Sequence, residues 1–313
     1  MKKEWTKEEF KNPPAWFRGA PFWAWNTRLN PEQLKRQVSY FKEMGLGGYH
    51  IHCRVGLDTE YLGKEFLECV SEVAKEGREQ GLYTYLYDED RWPSGAAGGL
   101  VTKEEAYRSR HLYFVPDENN EKEIKGKLLA VYRIHLKDGY LAEYTRVENQ
   151  EIGEGIWKLY LQIAEPSPWY NNQTYLDTLN KKAVEQFIRV THETYDKLLG
   201  DEFGKSIPSI FTDEPQFQRK ETLDFAEEKR GLILPYTDRF EEFYQDRYGE
   251  DLLEHFPEVV WELPDGRISK TRYQYHDGIA ELFAASFADT IGKWCQEHNI
   301  MLTGHMMEEP TLL

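Results

Sequence analysis

The stretch Ser209-Ile-Phe-Thr-Asp-Glu-Pro215 decides the fold of this chain. Its apolar residues have the length and composition of a buried β-strand, and Pro215 prevents the strand from continuing. Two carboxylates, Asp213 and Glu214, are left at the carboxyl end of the strand. In a parallel α/β barrel, this end of the strands carries the active site. Glu214 is therefore the first candidate for a catalytic group, and we expect Asp213 to support it in substrate binding.

Strand-like and helix-like segments alternate on both sides of this stretch. The other predicted strands cover residues 19–26, 48–55, 82–90 and 300–307, and the predicted helices cover 30–44, 61–80, 183–198, 238–248 and 279–294. Asn30 and Pro31 supply the N-cap and the first position of one helix, and Gly45 ends it. Residues 110–162 break this rhythm, because they alternate like antiparallel β structure around a hairpin turn at 138–139.

Parallel strands joined by helices indicate an α/β fold, and we expect a (β/α)8 TIM-type barrel with a β insertion after its third strand. A barrel is favoured because acids or histidines follow several different strands, whereas a doubly wound sheet concentrates its site at one switch point. We expect barrel strands at 1–103 and 176–313 and the β-rich insertion at 104–175. About five of the eight strands are visible. We therefore expect a barrel that is incomplete at its C-terminus, with open edges covered by a missing half or by self-association.

The composition excludes several classes of partner. Acidic residues outnumber basic ones by 55 to 39, which gives a net charge of −16. The chain thus lacks the basic surplus that nucleic acids and anionic membranes attract. Its three cysteines have no CxxC spacing and indicate neither a disulfide framework nor a zinc site. No segment approaches the roughly 20 apolar residues that cross a bilayer. We expect a cytoplasmic protein with a neutral substrate.

A second carboxylate is expected at the end of the fifth strand. The sequence there is Thr303-Gly-His-Met-Met-Glu-Glu309, and strand alternation places His305 and Glu309 on one face. Glu309 is the preferred partner of Glu214, with Glu308 in reserve, and His305 is a substrate-binding candidate. Such a pair suits glycoside hydrolysis, in which one carboxyl group protonates the leaving oxygen while the other activates water or attacks the sugar.

The stretch Tyr87-Asp-Glu-Asp-Arg-Trp-Pro-Ser-Gly95 crowds acids and an indole just past the third strand. Asp88, Asp90 and Trp92 are candidates for substrate binding, because carboxylates hydrogen-bond sugar hydroxyls and an indole covers the apolar face of a sugar ring. A solvated loop pinned by Arg91 is the alternative. Calcium also suits these oxygens, although their spacing does not match an EF-hand loop. No cofactor is assigned with certainty.

The second strand projects His50, His52 and Arg54 from one face. We expect these side chains to hydrogen-bond the substrate, and histidines of the core are the plain alternative. The HxH spacing also occurs among the metal ligands of barrel amidohydrolases, where His305 would be a third ligand. No metal-bridging pattern is complete, so we assign no metal.

Two indoles share one face of the first predicted strand. Trp23 and Trp25 are candidates to form the floor of a sugar site. Filling of the barrel core by the same rings is equally consistent with the sequence, because aromatic residues serve both purposes. The sequence alone leaves both alternatives open.

Several motifs together resemble bacterial proteins related to the inverting α-L-rhamnosidase family of glycoside hydrolases. They are the segments at 19–26, 44–48, 50–56, 87–95 and 212–215, and Gly304-His305 with the two glutamates that follow. The resemblance covers nearly the whole chain, but only the front part of these longer relatives. It implies a (β/α)8 catalytic barrel, with Glu214 as the acid, Glu309 or Glu308 as the base, and in some members a calcium ion nearby.

We therefore expect a glycosidase that acts on a neutral sugar glycoside, such as an α-L-rhamnoside, by carboxylate acid/base catalysis. Two alternatives remain open. One is a metal-dependent amidohydrolase-like barrel that uses His50, His52 and His305. The other is a sugar-binding fragment that keeps its aromatic and acidic contacts without turnover.

Overall fold

The structure of the protein is a computed structural model that describes residues 6–119 and 124–305. It is a mixed α/β structure with two five-stranded sheets. The strands are β1 (Phe22–Trp25), β2 (Gly48–Cys53), β3 (Tyr83–Tyr87), β4 (Arg110–Pro116), β5 (Lys127–Lys137), β6 (Tyr140–Val147), β7 (Ile156–Ile163), β8 (Ser209–Asp213), β9 (Leu232–Tyr236) and β10 (Met301–His305). The helices are α1 (Lys7–Lys11), α2 (Pro31–Glu43), α3 (Lys64–Gln80), α4 (Lys181–Val190), α5 (His192–Leu199), α6 (Phe240–Tyr248), α7 (Leu252–His255), α8 (Pro257–Val260), α9 (Lys270–Phe283) and α10 (Asp289–Glu297).

The first sheet is entirely parallel, with the strand order β1-β2-β3-β8-β10. Neighbours in this sheet follow one another along the chain, so the order never reverses as it does at the switch point of a doubly wound sheet. The carboxyl ends of all five strands consequently meet at one edge. The expected α/β fold with a parallel sheet is confirmed. Within the part of the chain that the structure describes, the sheet stays open and forms no closed barrel.

The helix between the first two strands shows how local sequence sets these elements. The Asn30 side chain accepts a hydrogen bond from the backbone N–H of Gln33, and Pro31 occupies the first helical position. Gly45 follows the helix with a φ of +78°, a left-handed conformation that glycine adopts without steric cost. The predicted start and end of this helix are confirmed.

Apolar side chains of α3 fix that helix against the parallel sheet. Phe66, Val70 and Val73 are completely buried there. Burial of each such side chain contributes roughly 1.5–3 kcal/mol. Among the described helices, none combines the length and the apolar character that crossing a membrane requires.

The second sheet is antiparallel, with the order β6-β5-β7-β4-β9. Its β5–β6 hairpin turns at Asp138 and Gly139, which both have positive φ, as the sequence predicts. The fifth strand, β9, comes from beyond the segment 104–175 and was not predicted. Its sequence contains Pro235, which argues against a central strand. Among the described strands, β9 pairs with β4 alone and lies at the sheet edge, where a proline is tolerated.

A second apolar core lies between this sheet and the helices that follow β9. The rings of Phe114, Trp157 and Trp261 pack with centroids 5.0–5.9 Å apart, and Phe256 and Tyr275 extend the cluster from α7–α9. Aromatic pairs of this kind contribute about 0.5–1.5 kcal/mol each beyond the burial of their surface.

We predict that Gly77→Ala destabilises the protein and that Gly292→Ala does not. A methyl group at Gly77 would overlap the Tyr49 hydroxyl and lie 3.1 Å from Thr84 Oγ1, whereas nothing lies within 4 Å of one at Gly292. Alanine favours a helix over glycine by about 1 kcal/mol, but overpacking of a core costs about 1–3 kcal/mol. Urea unfolding of both variants measures the difference. A stabilised Gly77→Ala protein would contradict the close packing of α3 on the sheet.

Candidate active site

Side chains from four strand ends meet around the Asp213 carboxylate. Tyr87 donates its hydroxyl to Asp213 Oδ2 at 2.9 Å. His52 Nε2 lies 3.8 Å from the same oxygen, and His305 Nδ1 lies 3.7 Å from Oδ1. We call these four residues the Asp213 cluster. Three of them, His52, Asp213 and His305, were predicted substrate-binding residues, and the structure brings them together.

The interior of the cluster is largely closed to water. Asp213 and His52 are each 7% exposed, whereas His305 lies at the open side. Burial, reinforced by the Asp213 carboxylate, raises the pKa of Tyr87 well above its usual value. Tyr87 is therefore a fixed hydrogen-bond donor. The sequence analysis did not select it, because a tyrosine in a strand is most often core material.

Glu214 turns away from the cluster toward the loop after β3. Its φ of +46° is left-handed, a conformation that costs a non-glycine residue about 1–2 kcal/mol. The Glu214 backbone N–H donates to the His305 carbonyl at 3.0 Å. The carboxylate accepts a 2.7 Å hydrogen bond from Trp92 Nε1 and is half-buried. A strained residue held by surrounding contacts is common at functional sites.

Ser94 connects the loop after β3 to β8. Its N–H donates to the Asp213 carbonyl and its Oγ accepts from the Asp213 N–H, both at 2.8 Å. The same hydroxyl donates to Asp88 Oδ1 at 2.6 Å. Ser94 therefore satisfies both backbone hydrogen-bonding groups of Asp213 and fixes the position of the loop relative to β8.

Glu89 organises the rest of this loop. Its two oxygens accept hydrogen bonds from the backbone N–H groups of Asp90, Gly95, Ala97 and Gly98. Burial raises the pKa of Glu89 to about 7, against the opposing effect of these four donors. The Glu89 side chain thus holds the backbone of the loop in its conformation. The sequence pattern alone did not distinguish this role from the roles of the neighbouring acids.

Asp88 and Asp90, two of the predicted substrate-binding residues, have their partners inside the protein. Asp88 is completely buried and lies 3.9 Å from the His192 ring, and burial raises its pKa well above the usual value. Asp90 accepts a 2.8 Å hydrogen bond from Arg91 Nε. The contact with Arg91 agrees with the alternative of a loop pinned by that residue, but the acids of the loop are buried and not solvated as that alternative had it. The bonds of Asp88 with Ser94 and of Asp90 with Arg91 are both made to residues outside the Asp213 cluster.

The structure places Trp23 and Trp25 on the helix side of β1. They are 8% and 1% exposed, and their rings pack edge-on against Tyr49 and Phe66. Trp23 Nε1 donates to Gln37 of α2. These contacts belong to the core between the sheet and its helices. The Asp213 cluster lies at the carboxyl edge of the strands, so neither indole is part of it.

His50 lies within β2, whereas Arg54 follows the end of that strand. His50 Nδ1 is 3.1 Å from the Ala20 carbonyl, its ring stacks on Tyr85, and burial lowers its pKa. Arg54 is exposed just beyond the strand. Within residues 6–119 and 124–305, no group of three or more His, Cys, Asp or Glu side chains is arranged to hold a metal ion. The trio of His50, His52 and His305 is therefore not assembled as a ligand set.

A short loop after β7 brings unpredicted residues to the site. Trp169 packs edge-on against Trp92 with ring centroids 5.1 Å apart. Trp169 Nε1 donates to Gln216 Oε1, and Asn171 Nδ2 donates to the Trp92 carbonyl. The signal in the sequence is the dense run of aromatic and amide residues at 169–172, which the prediction of a β insertion left unassigned. Glu308 and Glu309 lie outside the described residues.

Comparison of the structure with solved structures now supplies an independent test of the fold. The chain is similar to a rhamnosidase from Novosphingobium sp. PP1Y, with a TM-score of 0.57 and 13% sequence identity. The fold is therefore like that of the part of this rhamnosidase that the match covers. The match covers 96% of this chain and 47% of the rhamnosidase, so the chain spans about half the length of that protein. A weaker likeness is to a trehalulose synthase mutant, with a TM-score of 0.35 and 10% identity over 95% of this chain and 46% of that protein. No family model and no curated protein matches the sequence, so the resemblance to the α-L-rhamnosidase family stays a prediction.

We predict that His192 makes the protein less stable as the pH falls from about 6.5 toward 3. Burial lowers its pKa in the folded protein to about 3, whereas a histidine in the unfolded chain titrates near 6.5. In that window the unfolded state binds the extra proton, so the free energy of unfolding falls by up to about 1.4 kcal/mol per pH unit. Urea unfolding between pH 4 and 7 measures the slope.

His192→Phe is the control, because its ring keeps the contacts with Phe187 and Trp294 without titrating. As the pH falls, the free energy of unfolding should decrease less for His192→Phe than for the unmodified protein, so the variant becomes relatively more stable. A difference that stays constant across the window would contradict the prediction.

Proposed function

We propose that the protein is a glycoside hydrolase that acts on a neutral sugar glycoside, such as an α-L-rhamnoside, with Glu214 as general acid. The observation that carries the proposal is the position of Glu214. It is a half-buried carboxyl group at the carboxyl edge of a parallel sheet, oriented by the indole N–H of Trp92. The glycoside hydrolase-like fold supports the same class of reaction.

The reaction needs a proton at the leaving oxygen and an activated water at the sugar carbon. In our proposal Glu214 transfers its proton to the glycosidic oxygen as the bond from that oxygen to the sugar carbon breaks. A water molecule gives one proton to a second carboxylate and its oxygen to the sugar carbon. The Glu214 proton leaves with the product alcohol. The second carboxylate then releases its proton to solvent and Glu214 takes one up, which restores both groups. Trp92 fixes one Glu214 oxygen, and the other is left to face the substrate.

We propose Glu309, with Glu308 in reserve, as the second carboxylate. Both follow β10, whose last residue pairs with Asp213 in the sheet register. The chain therefore leaves β10 at the same edge that carries Glu214. If the enzyme inverts the configuration of the sugar, its two carboxyl groups should be roughly 6.5–9.5 Å apart.

The Asp213 cluster suits recognition of the sugar rather than proton transfer. Asp213 already accepts from Tyr87, while His52 and His305 are both too far away for a direct hydrogen bond. Within the described chain, buried His52 Nε2 has no hydrogen-bond partner. A sugar hydroxyl that reaches His52 Nε2 would satisfy that nitrogen. We propose this cluster as the contact for the hydroxyls of a neutral sugar.

The sugar-binding protein without turnover is the second candidate function. The Asp213 cluster and the rings of Trp92 and Trp169 are sufficient contacts for sugar binding, and binding does not require a second carboxylate. Detection by calorimetry of sugars that the protein binds but does not cleave would favour this function. The amidohydrolase alternative has less support, because His50 is bonded to Ala20 and stacked on Tyr85.

We predict that Glu214→Gln in the full protein leaves folding intact and lowers turnover of a natural glycoside by about 10²–10⁴-fold, the usual contribution of general acid catalysis. The loss should be much smaller for a nitrophenyl glycoside, because its leaving group needs little protonation. Steady-state kinetics on both substrates, with circular dichroism to check folding, measure this contrast.

Asp213→Asn is the matched control, since it also replaces a carboxylate by an amide one residue away. We expect Asp213→Asn to lower kcat/KM for both substrates by a similar factor, because it weakens binding of the sugar that the two substrates share. Unchanged turnover of the natural glycoside by Glu214→Gln would show that another group is the acid.

A further inference from the structure

Trp169 has no part in the reaction described above, although it lies next to the residue that holds the acid. It is 55% exposed, so a large part of the indole is open to contact with a ligand. Its ring contacts Trp92, and the Trp92 N–H contacts Glu214. The two indoles therefore form a continuous aromatic surface from the acid to solvent. We call Trp92 and Trp169 the indole pair.

The exposed indole is held in place by several contacts rather than lying loose on the surface. Its N–H donates to Gln216 Oε1 at 3.0 Å, and Gln216 is only 3% exposed. The next residue, Tyr170, stacks on buried Tyr175 with ring centroids 4.4 Å apart. Tyr175 in turn accepts a hydrogen bond from the Gln216 N–H. The Trp169 ring is thus pre-organised, which lowers the entropic cost of binding a ligand on it.

The position of the indole pair identifies which part of a glycoside it would meet. The acid contacts the glycosidic oxygen, which separates the sugar from the leaving group. The Asp213 cluster is formed by strand ends and offers polar groups suited to sugar hydroxyls. The indole pair comes instead from the loops after β3 and β7, contacts the Glu214 carboxylate itself and offers apolar rings, which pack against flat apolar faces.

We infer that Trp169 stacks on the leaving group and makes the site selective for leaving groups that contain a ring with a flat apolar face. Such a ring belongs to a second neutral sugar or to an aromatic alcohol. A small alkyl leaving group cannot cover the indole. The inference rests on the proposed function, because only a glycoside cleaved beside Glu214 places its leaving group there.

The test compares matched phenyl and methyl glycosides of neutral sugars, L-rhamnose included, and a rhamnosyl disaccharide, in the full protein. We expect Trp169→Ala to lower the ratio of kcat/KM for phenyl over methyl glycosides by about two- to tenfold, the usual worth of an aromatic contact. Trp169→Phe should restore part of it. A lowered rate on the disaccharide as well assigns the surface to sugar rings, and a loss confined to phenyl glycosides assigns it to aromatic alcohols.

Trp16→Ala is the control, because Trp16 is 48% exposed and contacts Tyr83 at the opposite end of the strands. It should leave the ratio unchanged. If the unmodified protein cleaves these glycosides and Trp169→Ala keeps the same ratio, the inference is overturned while the proposed function stands.

If the unmodified protein cleaves none of them, the proposed function fails and the assignment of Trp169 to a leaving group is overturned with it. Calorimetry then shows whether Trp169 is a stacking surface for a bound ligand. If Trp169→Ala binds phenyl glycosides more weakly than the unmodified protein does, but binds methyl glycosides equally well, the result supports Trp169 as a stacking surface. Equal binding by both proteins, or no binding, overturns it.

Discussion

The hydrogen bonds of the Ser94 side chain are the interaction on which the site depends. A hydroxyl has one proton and two lone pairs, and here it accepts from the Asp213 backbone and donates to the Asp88 side chain. The Asp213 backbone returns a bond from its carbonyl to the Ser94 N–H. Because all these groups are buried, each would be costly to leave unpaired. The loop after β3 therefore has one preferred position over β8, and Trp92 reaches Glu214 from it.

The sequence predicts the parts of this architecture that follow from short-range physics. The helix from Pro31 is set by its N-cap and by a terminal glycine, and the hairpin at Asp138-Gly139 by two residues that tolerate positive φ. The stretch ending at Asp213 was identified as a buried strand because its apolar run stops abruptly at two acids and a proline. All three features are local, so no knowledge of the tertiary structure is needed.

Other features depend on contacts between distant segments and could not be derived in this way. Strand β9 is recruited by β4, against the local signal of Pro235. The roles of Asp88 and Glu89 differ because one faces His192 and the other a ring of backbone donors, although they are neighbours in one acidic run. Trp169 meets Trp92 only because the loop after β7 returns to the parallel sheet. A sequence pattern identifies the residue types but not the partners.

The late arrival of β9 also affects how the chain reaches its native state. The strand pairs Arg110 with Tyr236, and the whole of β8 with its acidic end lies between those two positions along the chain. During synthesis from the N-terminus, the β4 edge of the antiparallel sheet therefore stays unpaired until β9 has been made, which is after Glu214 has been made. Contacts between such distant positions slow folding and expose strand edges to wrong partners. The two sheets are interleaved along the chain, so their assembly is coupled in time.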